Sequence, residues 1–171
     1  MIRKIAITGP ESTGKSMLAE QLAATYQTRW VPEYAREYLD QLGRPYEEND
    51  ILLIAKGQIS AEESQSRHPG NFLFCDTELL VTKIWSEVKY GRCDPWILKT
   101  IDEHPYDLYL LCDIDLPWEF DPLREHPDQR QFLFDLYHNE MKNRKYPFAV
   151  VHGTGKARLE HAMQIIDHFP F

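Results

Sequence analysis

A three-layer α/β fold with a five-stranded parallel sheet flanked by helices is predicted by two observations. Strand-like segments, β-branched or wholly apolar, alternate along the chain with segments of helical apolar spacing. The first strand and the first helix are joined by Gly9-Pro10-Glu11-Ser12-Thr13-Gly14-Lys15-Ser16, which matches the pattern G-x-x-x-x-G-K-[ST] in full. A P-loop nucleoside triphosphate hydrolase fold is the architecture that unites them.

The elements follow in order. Met1 runs directly into a β-branched first strand at Ile2 to Thr8, and Lys15 to Tyr26 carries Leu18, Leu22 and Ala23 at helical spacing. Thr28 to Val31 reads as a short second strand. Glu33 to Leu42 reads as a helix that Gly43 stops and Pro45 keeps from extending. Asn49 to Arg67 is a long helix interrupted in pattern by Gly57. Phe72-Leu73-Phe74-Cys75, ending in Asp76, has the continuous apolar character of a strand buried on both faces. Helices are expected over Leu79 to Tyr90 and Trp96 to Glu103, then a buried strand over Leu108 to Cys112 near Asp113 and Asp115. Leu116 to His126, with Pro117, Pro122 and the bordering Pro127, reads as a loop. Asp128 to Lys142 reads as a polar helix, Phe148 to Val151 as the last strand and Lys156 to His168 as the last helix.

A length of 171 residues fits one domain, residues 1–171. At that size folding buries roughly 68–70% of the unfolded surface, so no disulfide or metal staple is needed. Three widely spaced cysteines, Cys75, Cys93 and Cys112, form no Cys-x-x-Cys pair, which speaks against a zinc site or disulfide framework. A net charge of −8 speaks against broad nucleic-acid binding. It mildly favours a neutral or cationic second substrate. The sequence has no apolar run long enough for a membrane span, and its N-terminus lacks a signal-peptide pattern, so no membrane partner and a cytoplasmic location are expected. His104, His126 and His138 stand in polar surroundings at no metal-binding spacing and read as surface residues.

The loop supplies the chemistry. Gly9 and Gly14 permit backbone geometry that lets successive N–H groups, from Glu11, Ser12, Thr13 and on to Met17, converge on phosphate oxygens at a helix N-terminus. Lys15 can reach the β- and γ-phosphates of ATP, and the Ser16 hydroxyl can ligate magnesium. Asp76, at the end of a buried strand, is the expected acidic partner for the metal and a second candidate for the general base; alternatively it caps the helix that follows, with Glu78 adding charge to that turn. Glu33, at the turn after the second strand, can accept the proton of an attacking hydroxyl, and Arg36, three residues on, can hold substrate oxygens. An acidic first helical turn paired to surface arginine explains the same residues equally well. No Asn-Lys-x-Asp base-reading motif of a GTP switch is present, and an AAA-type motor needs a longer chain. The size is that of a small-molecule or nucleotide kinase, and a purely ATP-binding regulatory module is the non-enzymatic alternative.

The loop, then Glu33-Tyr34-Ala35-Arg36-Glu37, then Phe74-Cys75-Asp76-Thr77-Glu78, then Tyr106-Asp107-Leu108-Tyr109-Leu110-Leu111, together resemble the NadR-type ribosylnicotinamide kinases. The match runs in order through Leu111 and more loosely beyond. The resemblance implies strand order 2-3-1-4-5 and ATP- and Mg2+-dependent phosphorylation of the ribose 5′-hydroxyl of nicotinamide riboside, giving nicotinamide mononucleotide. Kinases for other nucleosides share the loop and the post-strand glutamate. No His-x-Gly-His motif of an adenylyltransferase is present, so the kinase step alone is expected. A cationic pyridinium ring is held well by aromatic faces and carboxylates, for which Trp30, Tyr34, Trp85 and Tyr90 are candidates. In that family an aromatic residue precedes the Glu-Tyr pair; here Pro32 occupies the place and Trp30 lies two residues earlier.

Residues 116–130 are the expected lid. Arg124 and Arg130 can close on the transferring phosphate, and the NadR-like pattern raises Trp118 and Asp121 as substrate contacts. An ordinary proline-rich surface loop is the alternative. After the last strand, Gly153 and its neighbours are expected beside the adenine, or serve only as a tight turn.

Overall fold

The computed structural model describes residues 2–122, 124–126 and 128–171. Three positions invoked above, Met1, Leu123 and Pro127, lie outside the described residues, so the expected lid at 116–130 is described only in part.

Parallel pairing orders the sheet β2-β3-β1-β4-β5, with β1 Arg3–Thr8, β2 Arg29–Val31, β3 Phe72–Asp76, β4 Leu108–Cys112 and β5 Phe148–Val151. Each pairing is parallel, and the register sets Ile7 beside Asp76 and Thr8 beside Leu111. The helices are α1 Lys15–Thr25, α2 Tyr34–Leu42, α3 Glu48–Ser66, α4 Leu79–Tyr90, α5 Pro95–Glu103, α6 Arg130–Arg144 and α7 Gly155–His168. The sheet order and fold class expected from the sequence are those observed.

Strand alternation decides which helix covers which face. Ile5 and Ile7 of β1 and Leu108 and Leu110 of β4 face one way and pack with Leu18 and Leu22 of α1 and Ala162 and Ile166 of α7. Ala6, Leu73, Cys75, Tyr109 and Leu111 face the other way, against Leu80 and Ile84 of α4 and Leu133, Tyr137 and Met141 of α6. A third cluster joins α3, α4 and α5 through Ile51, Ala55, Leu79, Ile97 and Ile101. Burying both faces explains why the strands read as continuous apolar runs.

Local signals explain the helix ends. Glu47 and Asp50 form a reciprocal capping box at the start of α3. Asp94 caps α5, whose first residue is Pro95. Gly43, in the left-handed region at φ 67°, ends α2. The helix expected from Asp128 begins two residues later, at Arg130, because Gln129 occupies its N-cap. No described helix is long and apolar enough to cross a membrane.

Candidate functional site

Parallel sheets place loops from successive strands at one edge, and here those loops converge. The P-loop follows β1, Glu33 follows β2, Asp76 ends β3, and Asp113 and Asp115 follow β4. The loop is held from within. Thr13 is fully buried and its hydroxyl donates to the Pro10 carbonyl at 2.7 Å, while Lys15 Nζ donates to the same carbonyl at 2.8 Å. Gly14 sits at φ 71°, a left-handed conformation that favours glycine, and a Cβ there would also press on Leu116 Cδ1 at 2.8 Å.

A cavity of about 470 Å³ opens from this loop. Gly9, Glu11, Ser12, Thr13, Gly14, Lys15, Ser16 and Met17 line it, together with Glu33, Arg36 and Arg124. Val81, Ile84, Trp85 and Val88 of α4 and Leu133 and Tyr137 of α6 supply an apolar part of its wall.

Asp76 lies behind the loop, 1% exposed. Burial raises its carboxyl to about 6, and the nearby Glu33 carboxylate pushes the same way, whereas the Ser16 hydroxyl and Lys15 ammonium pull it down. Those influences put Asp76, Glu33, Ser16 and Lys15 in one electrostatic group. The helix cap that might have occupied Asp76 falls to Glu78, whose side chain accepts the Leu80 N–H and the Thr8 hydroxyl. A hydroxyl and a carboxylate, both hard oxygen donors, are the donor set that magnesium takes, so Ser16 and Asp76 fit that ion. Glu33 is the N-cap of α2 without a side-chain capping bond, which leaves its carboxylate on the cavity wall.

The other expected site residues separate by geometry. Tyr34 does not line the cavity; its ring lies over Gly57 of α3, and its N–H donates to Gln58 Oε1 at 3.0 Å. Arg36 pairs with Asp121 at 3.1 Å, joining α2 to the segment after β4. Trp118 lies edge-on to Phe120, and its indole N–H points at Glu11 Oε1 over 3.4 Å. Arg124 donates to the Glu119 carbonyl. Arg130 lies outside the cavity wall and donates to the Ser12 and Leu116 carbonyls at 3.1 and 2.8 Å. The Gly153 N–H donates to Asp115.

Of the four aromatic candidates, only Trp85 lines the cavity among the described residues. Trp30 packs against the α1 and α7 face, and Tyr90 packs with α3 and α5. His126, expected at the surface, lines the cavity, and its N–H donates to Glu11 Oε1 at 2.6 Å. The same glutamate accepts the Glu125 N–H at 3.0 Å, and the Glu119 N–H donates to Ser12 Oγ at 2.9 Å. The described part of segment 116–130 is therefore fastened to the P-loop through backbone amides.

Sequence reasoning missed Tyr137, Gln58 and Arg158. The one signal for Arg158 is its spacing, since it shares the buried face of α7 with Ala162 and Ile166 at i, i+4 and i+8.

Comparison with known proteins bears on the family and on the fold. The trifunctional NAD biosynthesis/regulator protein NadR of Escherichia coli (strain K12) is 32% identical over 129 residues, which are 72% of this chain and 31% of that protein. The chain thus spans about a third of the length of this curated relative. A crystal structure of NadR protein in complex with NR superposes with a TM-score of 0.82 at 20% identity, over 96% of this chain and 50% of that one. A deoxyadenosine kinase from M. mycoides with the products dcmp and a flexible dcdp bound superposes at 0.66 with 16% identity, over 97% of this chain and all, 100%, of its own. The sequence pattern of the family described as AAA domain matches residues 4–158. The match is to a P-loop domain, which 171 residues accommodate, and not to the longer AAA-type motor. With that pattern spanning β1 to α7, the chain belongs to the AAA domain family and has NadR among its relatives.

Proposed function

We propose that this chain is an ATP- and magnesium-dependent kinase that phosphorylates the ribose 5′-hydroxyl of nicotinamide riboside to nicotinamide mononucleotide. The observation that carries the reading is that one cavity is lined both by Lys15 and Ser16 of the P-loop and by Glu33, Trp85 and Tyr137. A phosphate cradle and an apolar wall in one cavity suit a phosphoryl donor and a ring-bearing acceptor meeting there. The carboxylates of Glu33 and Glu119 on the wall suit a pyridinium cation, as do the aromatic side chains of Trp85 and Tyr137. The relationship to NadR, and a NadR structure holding NR, support that acceptor.

In this reading the loop amides and Lys15 hold the donor's phosphates. Magnesium, held by Ser16 and Asp76, would neutralise charge on the phosphoryl oxygens. Glu33 accepts the proton as the ribose oxygen bonds to the γ-phosphorus and the bond to the ADP oxygen breaks; Asp76 is the second candidate base. Arg36 positions the acceptor, with Tyr34 behind it and Trp118 and Asp121 alongside. Arg124 stabilises charge spreading over the transferring group, while Arg130 orders the loop around the donor. Segment 116–130 acts as a lid that excludes water, and the turn at Gly153 borders the donor's adenine.

The test is a competition among acceptors. Nicotinamide riboside is mixed with deoxyadenosine and other nucleosides, and kcat/KM is measured for each with ATP and magnesium. A clear preference for nicotinamide riboside upholds the assignment. Preference for a deoxynucleoside replaces the acceptor and keeps the kinase, and no turnover with any acceptor leaves an ATP-binding module.

A further inference from the structure

Arg158 of α7 is buried, its side chain 5% exposed, and it reaches three separate loops. Its Nη2 donates to the Thr13 carbonyl of the P-loop at 2.7 Å and to the Asp113 carbonyl after β4 at 3.2 Å. Its Nη1 donates to the Gly153 carbonyl in the β5–α7 turn at 2.8 Å and stands 3.5 Å from Asp115 Oδ1. The other Asp115 oxygen accepts the Gly153 N–H, so this carboxylate clasps the turn and the guanidinium together.

Two features separate this arrangement from an ordinary buried ion pair. Among the described residues Arg158 has one carboxylate partner, at 3.5 Å, whose side chain is 27% exposed, and its buried Nε has no hydrogen-bond partner. A buried guanidinium so loosely neutralised keeps much of its positive field, and it lines the cavity beside the P-loop. The second feature is direction. In a trans peptide the carbonyl and the following N–H point opposite ways. A cation on the Thr13 carbonyl therefore favours a Gly14 N–H that points away from itself, and polarises it.

We propose that Arg158 is a positioning residue that sets the Thr13–Gly14 peptide of the phosphate cradle and fixes the β5–α7 turn to it, so that the two ends of a bound nucleotide are held as one unit. The inference rests on reading the cavity as a nucleotide site. Calorimetric titration of the full chain with ADP, and with inorganic tripolyphosphate as a phosphate-only probe, tests it. In Arg158→Gln both ligands weaken by about tenfold or more, the scale of lost charge-assisted hydrogen bonds. In Asp115→Asn, ADP weakens more than tripolyphosphate, because that change loosens the turn and leaves the Thr13 contact. A folded Arg158→Gln that binds both ligands within about twofold of wild type overturns the proposal, even if its melting temperature falls. Should Arg158→Gln fail to fold, Asp115→Asn decides: weakened ADP upholds the proposal and unchanged ADP overturns it. Wild type that binds neither ligand overturns the nucleotide-site reading itself, a result visible before any variant is made.

Discussion

Gly57→Ala links the packing of α3 to the placement of Glu33. An added Cβ would stand 2.0 Å from Tyr34 Cε1 and 2.4 Å from both Cδ1 and Cζ. Carbon atoms rest at about 3.5–4.0 Å, so the ring must retreat by roughly 1.5 Å. Its backbone cannot follow freely, because the Tyr34 N–H is fixed to Gln58 at 3.0 Å. Overpacking of this kind costs about 1–3 kcal/mol, and replacing a mid-helix glycine by alanine returns about 1 kcal/mol. The net expectation is a loss of about 1 kcal/mol in urea unfolding. Displacement of Tyr34 also shifts its neighbour Glu33, for which a fall of about ten- to a hundredfold in acceptor-dependent turnover is expected. In a Tyr34→Ala background the same Gly57→Ala change should stabilise by about 1 kcal/mol, since only helix propensity remains. A single Gly57→Ala variant that is more stable than wild type with unchanged turnover would refute the reasoning.

Further outcomes are expected. Glu11→Ala removes the acceptor for the Glu125 and His126 amides, so ATP hydrolysis without acceptor should rise relative to phosphoryl transfer, read as the ratio of ADP to phosphorylated product. Asp76→Asn should raise the magnesium concentration needed for half-maximal turnover while leaving the fold intact by circular dichroism. The Arg44 fork, at 2.8 and 2.9 Å, holds the Asp50 carboxyl well below the usual carboxylate range. A depressed carboxyl stabilises the fold above its unfolded value of about 3.9, and that contribution is lost as pH falls below it towards the folded value. Asp50→Asn should therefore be less stable than wild type at pH near 7, with the gap closing in acid unfolding curves below about pH 4.

How much was legible depended on whether the signal was local. The bounds of α4 and β4 were read to the residue, because apolar runs and the flanking Asp76 and Gly91 mark them in sequence. The P-loop was legible because its spacing is itself the geometry. The start of α6 was not, since Asp128 and Gln129 look helical by composition and only the observed backbone assigns Gln129 to the cap. Which aromatic faces the cavity was also hidden. Trp30, Tyr34, Tyr90 and Trp85 are alike in sequence, and sheet face and helix packing alone turn Trp85 inward. Gly57, which interrupts the helical pattern of α3 in sequence, is the seat of the Tyr34 ring. The Glu11 bonds to Glu125 and His126 span 114 and 115 positions, and no local pattern announces them.

The most direct test of the kinase assignment is product identity. ATP, magnesium and nicotinamide riboside are incubated with wild type and with Lys15→Ala, and the products are resolved by mass spectrometry and phosphorus NMR. The expected result is nicotinamide mononucleotide and ADP in equal amounts from wild type, with both lost in Lys15→Ala. ADP without any phosphorylated nucleoside, or product formation undiminished in Lys15→Ala, would contradict it.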